Sequence, residues 1–252
     1  RMVDAGMEYV VMEVSSHALE LERVYGIKFL VGVFTNLSED HLDFHKTMDK
    51  YLEAKAKLFK QSDFAIINGD DIYAPRLLKM IDIKKATYGL DNAVDLTATD
   101  IRVNPSYVEF KMYVNRMLET IRINIPGRFT VYNALAAIGV CSLFGAQMDA
   151  ISGALGTLRV PGRNEVVELN KTFTVIVDYA HTPDAVANIL KSVLEFKRNN
   201  IITIIGCGGD RDKGKRKIIG DICTDLSDYT IFTNDNPRSE DEASIISDIT
   251  SN

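Results

Sequence analysis

One lysine of this sequence stands among apolar neighbours, and its chemistry depends on how well water reaches it. From Thr47 to Lys60 the chain reads TMDKYLEAKAKLFK. At about 100° per residue, Met48, Tyr51, Leu52, Leu58 and Phe59 fall on one side of a helix, and Lys55 falls within the same stripe. Lys50, Glu53, Lys57 and Lys60 point the other way. An ammonium held among apolar groups is destabilised relative to the neutral amine, and the neutral amine is a nucleophile. Lys55 is therefore a candidate reactive or modified residue. The other reading is that its stem packs while its head reaches water.

Three clusters could serve such a group. Glu13-Val14-Ser15-Ser16-His17 closes one apolar run, and Asn36-Leu37-Ser38-Glu39-Asp40-His41 follows the next. On adjacent strands, Glu13 and His41 could share a divalent cation, with Ser15, Ser16 and Asn36 offering further oxygens. Alternatively a serine caps a helix and the acids are solvated. His41 and His45 have the spacing of a zinc pair, but HLDFH is not HExxH and no third ligand is evident, so zinc is disfavoured. The second cluster, Gly209 to Arg216, fits GxxxxGK but has Arg216 where a P-loop needs a serine or threonine, and Arg211 spoils GxGxxG in Gly206 to Arg211. What remains is a basic loop with Arg211, Lys213, Lys215 and Arg216, suited to a carboxylate or phosphate or else simply solvated. In the third cluster, Asp235-Asn236-Pro237-Arg238, Arg238 could grip a ligand carboxylate while Asp235 and Asn236 meet an amino group. The same tetrapeptide could equally be a turn that starts a helix.

These residues must be carried by strand ends. Tyr9 to Met12 and Phe29 to Phe34 read as buried strands with polar residues at their carboxyl ends, where open parallel sheets bind ligands, and Phe64 to Ile67 reads as a third strand with Asn68-Gly69-Asp70 as its turn. Alternation through Val108, Phe110, Met112 and Val114 predicts antiparallel strands between Asp95 and Ile125. A helix follows from Thr130 to Phe144, stopped by Gly145. Val160-Pro161-Gly162 is the expected domain boundary, giving domains 1–160 and 161–252. Beyond it, strands at Phe173 to Val177, Ile201 to Ile205 and Tyr229 to Phe232 alternate with helices starting near Thr182-Pro183, Lys217 and Asp241, which predicts a parallel α/β domain.

With 252 residues, 46% hydrophobic and 25% charged, the chain has room for two domains. A net charge of −6 argues against a nucleic acid or an anionic membrane as the main partner. Cys141, Cys207 and Cys223 lack metal spacing, and the reading is three packing thiols in a reducing cytoplasm. Arg1 runs almost at once into an apolar stretch and Asn252 follows a helix pattern, so a piece of a longer protein is expected.

In order along the chain, EVSSH, TNLSEDHLDFH, the Tyr51 to Phe59 helix, PGRNE, DYAHTP, GCGGDRDKGKR and DNPRSE closely resemble the Mur ligases. The resemblance implies part of a central ATPase domain, a mixed sheet with helices and an antiparallel portion, followed by part of a Rossmann-like C-terminal domain. It implies peptidoglycan synthesis in the cytoplasm, in which ATP phosphorylates the carboxylate of UDP-MurNAc-L-Ala-D-Glu and an amine displaces the phosphate. By position, Glu13 and His41 match Mg²⁺ ligands, and Lys55 matches a lysine carbamylated by CO₂. Ser15 and Arg23 match contacts to the nucleotide-linked substrate; Asn133 and Arg163 match nucleotide contacts. Asp178 and His181 lie in the motif that closes over ATP and substrate. Arg211 and Asp235, Asn236, Pro237 and Arg238 match the amino-acid pocket, and DNPR is similar to members that take meso-diaminopimelate. The family's P-loop lies upstream of EVSSH and is not among these residues. Leu21, Thr130 and Asn164 depart from the glutamine, asparagine and methionine of relatives. The rivals are a folylpolyglutamate synthetase-like ligase, a noncatalytic binding module and, weakened by the missing GxGxxG, a nicotinamide dehydrogenase.

Overall fold

The structure is a computed structural model that describes residues 2–114, 116–167 and 172–251. Arg1 and Asn252, named above, lie outside them. The chain divides into two compact units, residues 1–95 and 96–252.

The first unit contains α1 (Ser16–Glu20), β1 (Phe29–Phe34), α2 (Leu42–His45), α3 (Met48–Lys60), β2 (Ser62–Asn68), α4 (Ala74–Met80) and β3 (Lys84–Gly89). The strands are parallel in the order β1-β2-β3, with Val31 opposite Phe64 and Ile66 opposite Ala86. The central strand β2 buries Ala65, Ile66 and Ile67, and its crossover helices α3 and α4 pack on the face that carries Ala65 and Ile67. Helix α3 begins where the sequence predicts. Thr47 accepts the N–H of Lys50 as N-cap, and Asp49 at the start and Lys57 and Lys60 at the end complement the helix dipole. Its inner face sets Tyr51, Leu52 and Phe59 into a core with Phe34, Leu37, Ala65, Ile67 and Leu77.

The predicted strand at residues 9–12 is not formed. Residues 7–15 carry no regular structure, and Tyr9, Val10, Val11 and Met12 are all exposed. An apolar run becomes a buried strand only when a neighbour pairs its backbone and something covers its faces, and no described residues do so here.

The second unit opens with β4 (Leu96–Thr97), then an antiparallel meander of β5 (Thr99–Asn104), β6 (Tyr107–Val114) and β7 (Met117–Ile123). The alternation in β6 buries Val108, Phe110 and Met112 as predicted. Next come α5 (Arg128–Leu143), α6 (Met148–Thr157), β8 (Glu165–Val167), β9 (Val175–Val177), α7 (Pro183–Leu194), β10 (Ile202–Ile205), α8 (Gly214–Leu226), β11 (Tyr229–Phe232) and α9 (Glu242–Thr250). Strands β10 and β11 pair in parallel across the α8 crossover. Strand β9, read from the sequence as longer and as the first of the parallel series, pairs antiparallel with β8. Thr182 caps α7 ahead of Pro183, and Asp241 caps α9. Val186, Leu190, Ile219, Cys223, Ile245 and Ile249 form the core between these helices. No described helix is long and apolar enough to cross a membrane.

Two helical glycines separate propensity from packing. A Cβ on Gly220 in α8 would lie 2.1 Å from the carbonyl oxygen of Ile249 in α9, whereas one on Gly153 in α6 meets nothing within 4 Å. Gly153→Ala is expected to stabilise by about 0.5–1 kcal/mol and Gly220→Ala to destabilise by about 1–3 kcal/mol, both read by urea unfolding. A stabilised Gly220→Ala would contradict the close approach of α8 and α9.

Candidate active site

In the first unit the carboxyl ends of β1 and β2 bring polar groups to α3. Asn68 at the end of β2 donates to the carbonyl of Thr35 at 2.7 Å, tying the two strand ends together. The loop after β1 then turns through His41, held in the left-handed region at φ 55°, whose N–H donates to Asp40 at 2.8 Å. Three imidazoles gather here. The ring of His17 lies 4.8 Å from His41 and 5.4 Å from His45, centroid to centroid. His45 is buried, its Nε2 is 2.8 Å from the hydroxyl of Ser16, and it stacks flat on Tyr51 at 4.8 Å. Burial is the first cause that pulls its pKa down, helped by His17.

Tyr51 also meets Lys55, whose Nζ lies 5.2 Å from the ring centroid. Lys55 is half-buried, as its place in the stripe predicts. Burial pushes its ammonium below the ordinary lysine value, while the carboxylates of Asp71 and Glu13 pull it back up. Asp71 is a residue that the sequence reading missed. It sits in the turn after β2 and accepts the N–H groups of Leu37 and Tyr73, each at 2.8 Å; burial nonetheless raises its carboxyl above the usual range. An acid just past a parallel strand was the available signal, masked by the turn-like sequence Asn68-Gly69-Asp70. Glu13 and Arg23 are exposed, and Ser15 caps α1 by accepting the N–H of Ala18 at 3.1 Å. Its hydroxyl proton is still available to donate.

In the second unit the structure brings Arg163, Asp178 and His181 together. The guanidinium of Arg163 lies over the ring of Tyr179 at 4.0 Å, and His181 meets that ring edge-on at 4.9 Å while its Nδ1 is 2.9 Å from the Tyr179 carbonyl. Asp178 accepts the backbone N–H of Asn164 at 2.6 Å and of Ala180 at 2.7 Å. Asn164, noted in the sequence only as a departure from its relatives, is buried and donates its side-chain amide to the carbonyl of Pro126. Thr130 donates to the same carbonyl at 3.0 Å. Both departures therefore fasten the loop that starts α5, the helix that carries exposed Asn133.

The loops after β10 and β11 pack directly against each other. A Cβ on Gly209 would lie 1.8 Å from the carbonyl oxygen of Pro237, and one on Gly206 would lie 2.4 Å from that of Thr233. Gly206 and Gly209 of GCGG are thus required by loop-to-loop approach. Gly209 donates its N–H to Asn236 at 2.8 Å, and Arg238 Nη1 donates to the Gly209 carbonyl at 2.5 Å. Asp235, Asn236, Arg238 and Arg211 are exposed around this junction. The basic loop is less free than its composition suggests. Arg216 is buried and paired with Glu240 and Asp248, and Lys213 also pairs with Glu240 at 3.0 Å. Of the four basic residues counted there, these two are spent on carboxylates of this chain.

Residues 1–141 match the model of the Mur ligase middle domain, and residues 162–252 that of the Mur ligase glutamate ligase domain. The chain is 49% identical over 251 residues to the UDP-N-acetylmuramoyl-L-alanyl-D-glutamate–2,6-diaminopimelate ligase of Clostridium tetani, covering 98% of this chain and 52% of the relative. The chain spans about half the length of the curated relatives it matches. A solved structure of a ligase of that name superposes with TM-score 0.66 at 34% identity, covering 94% of this chain and 50% of the other. The folylpolyglutamate synthase of Mycobacterium tuberculosis, solved with ADP and AMPPCP, shares the fold at TM-score 0.69 and 20% identity, over 87% of this chain and 51% of that one.

Glu240 supplies a pH test of the loop junction. Hydrogen bonds from Arg216 first, then Lys213, hold its carboxyl at about 2 against an ordinary 4.5. The folded pKa is depressed, so the stabilisation is complete above about pH 4.5 and is lost as the pH falls towards about 2. Glu240→Gln should therefore unfold at lower urea concentration than wild type near neutrality, with the gap closing on acidification. Midpoint curves that stay parallel across that range would contradict the assignment.

Proposed function

The chain belongs to the Mur ligase family, with its residues in the family's middle and glutamate ligase domains, and we propose that the full-length protein joins meso-diaminopimelate to the D-Glu carboxyl of UDP-MurNAc-L-Ala-D-Glu with ATP. The reading places this step in cytoplasmic peptidoglycan synthesis, with the functional boundary between residues 160 and 161. The observation that carries it is identity of 47–49% along 97–98% of this chain to several enzymes named as 2,6-diaminopimelate ligases. In the proposed reaction the D-Glu carboxylate takes the γ-phosphoryl group and releases ADP. The amine of the incoming amino acid then attacks the acyl carbon, loses a proton, and expels phosphate as the amide forms.

One observation supports the role assigned to Lys55. Burial lowers the Lys55 ammonium, so the neutral amine needed to bond to CO₂ is easier to reach; the product is an anionic carbamate, and a proton is released. Glu13 and His41 are exposed and are assigned to Mg²⁺, which keeps several waters and takes few protein ligands. Glu13 and His41 would hold it; when bound, Mg²⁺ neutralises phosphate charge. A carbamate at Lys55 would support the cation where an ammonium would repel it. Ser15 and Arg23 are assigned to the nucleotide-linked substrate.

In the second unit, Asn133 and the Arg163–Tyr179 stack are assigned to ATP, with Asp178 and His181 at the same hairpin orienting nucleotide and substrate. Arg211 and Asp235 to Arg238 are assigned to the amino acid. Arg238 pairs with its distal carboxylate, a planar match that a lysine substrate cannot make.

Lys55→Ala in the full-length protein is expected to lower ligation at least about 10²-fold, and added bicarbonate should not restore it. Near-normal turnover would end the carbamate assignment. Arg238→Ala should lower kcat/KM for meso-diaminopimelate by about 10²–10³-fold with KM for ATP within about twofold. Equal use of lysine and meso-diaminopimelate by the wild type would refute the assignment of Arg238.

A further inference from the structure

The two loops assigned to the amino acid come from different strand ends, and one buried side chain joins them. Arg216 is 1% exposed and ranks first by volume among the fully buried side chains. Its Nη2 donates to Glu240 Oε1 at 2.8 Å and to the carbonyl of Gly208 at 3.3 Å. Its Nη1 donates to Glu240 Oε2 at 2.9 Å and to Asp248 Oδ2 at 2.8 Å. A single guanidinium thus holds the loop after β10 through Gly208, the loop after β11 through Glu240, and helix α9 through Asp248. Glu240 receives a second tie to the first loop, from the N–H of Asp210 at 2.6 Å. Asp210 in turn accepts from both the N–H and the hydroxyl of Ser239, at 3.2 and 2.7 Å.

Resting on the amino-acid pocket proposed above, we propose that Arg216 and Glu240 form a positioning pair that aims Arg238 and thereby sets selection for an amino acid with a distal carboxylate. Neither residue touches substrate. Arg238 lies two residues before Glu240, and the Glu240 N–H closes a turn onto the Pro237 carbonyl at 3.0 Å. The backbone of Arg238 is in the left-handed region, φ 51°, a conformation that a non-glycine residue keeps only when its surroundings impose it. Its surroundings are Gly209 on one side and the anchored Glu240 on the other. A buried ion pair contributes little to stability compared with apolar residues of the same volume, but its fork geometry defines one arrangement of the groups it joins. Precise recognition of a carboxylate requires support of that kind behind the contacting residue.

Steady-state ligation by the full-length protein tests the proposal, with meso-diaminopimelate and lysine compared as substrates. Arg216→Lys keeps the charge and removes the fork. It is expected to raise KM for meso-diaminopimelate about tenfold and to cut the kcat/KM preference over lysine about tenfold, with KM for ATP within about twofold. Glu240→Gln should move the same ratio in the same direction. If Arg216→Lys does not fold at the assay temperature, the charge-free double variant Arg216→Met with Glu240→Leu is measured against the same expectations. A wild type that prefers meso-diaminopimelate, with folded variants that keep the full preference or lose all substrates in equal measure, overturns the positioning role alone. A wild type without the preference overturns the pocket assignment and this inference together.

Discussion

A charge removed from water must either be paired or give up its proton, and one basic side chain in each unit of this chain is placed under that constraint. Arg216 takes the first course. A guanidinium does not deprotonate in a protein, so the fold must surround it with acceptors, and Glu240, Asp248 and the Gly208 carbonyl converge from three separate segments. Lys55 is drawn towards the second. Its amine can become neutral, and burial favours that state even though Asp71 and Glu13 oppose it. The difference follows from the two functional groups, a planar always-charged fork and a titratable point charge.

Parallel topology explains why both centres form at strand ends. Each crossover helix returns the chain to the same edge, so the loops after β1 and β2, and after β10 and β11, are neighbours in space while remote in sequence. In the first unit this places Asn68 against Thr35 and Asp71 against Leu37. In the second it presses the GCGG segment against Asn234 to Pro237 so closely that side chains are excluded at Gly206 and Gly209. The glycine pattern that imitates nucleotide-binding fingerprints here serves backbone packing between two loops.

The residues proposed for function differ in how much they are already committed within the chain. Arg163, Asp178 and His181 are held by ring contacts and backbone hydrogen bonds around one hairpin. Arg238 is anchored on Gly209. Glu13, Arg23 and Asn133 are exposed, and their assigned roles rest on the family relationship more than on local geometry. Preorganisation is therefore concentrated around the proposed nucleotide and amino-acid groups of the second unit, where orientation matters most.

Much of the architecture was legible from local pattern. Thr47 and the apolar stripe specified α3 and placed Lys55 on its inner face; alternation specified β6; Thr182-Pro183 and Asp241 marked the starts of α7 and α9. Caps and hydrophobic periodicity are encoded within a few residues, so composition and order suffice for them. Residues 9–12 read as a strand because apolar content is local, but pairing is not, and no described residues supply it. Arg216 read as a free basic residue because its partner Glu240 lies 24 positions away. Asp71 gave no signal of its own beyond the Asn68-Gly69-Asp70 turn, because its proximity to Lys55 arises only when the end of β2 is laid against α3. The sequence by itself determined most of the elements, the family and the residue types available for chemistry. Tertiary closure alone decided which charges are paired and which are presented, because ion pairing depends on distances of a few ångströms that separation along the chain does not encode.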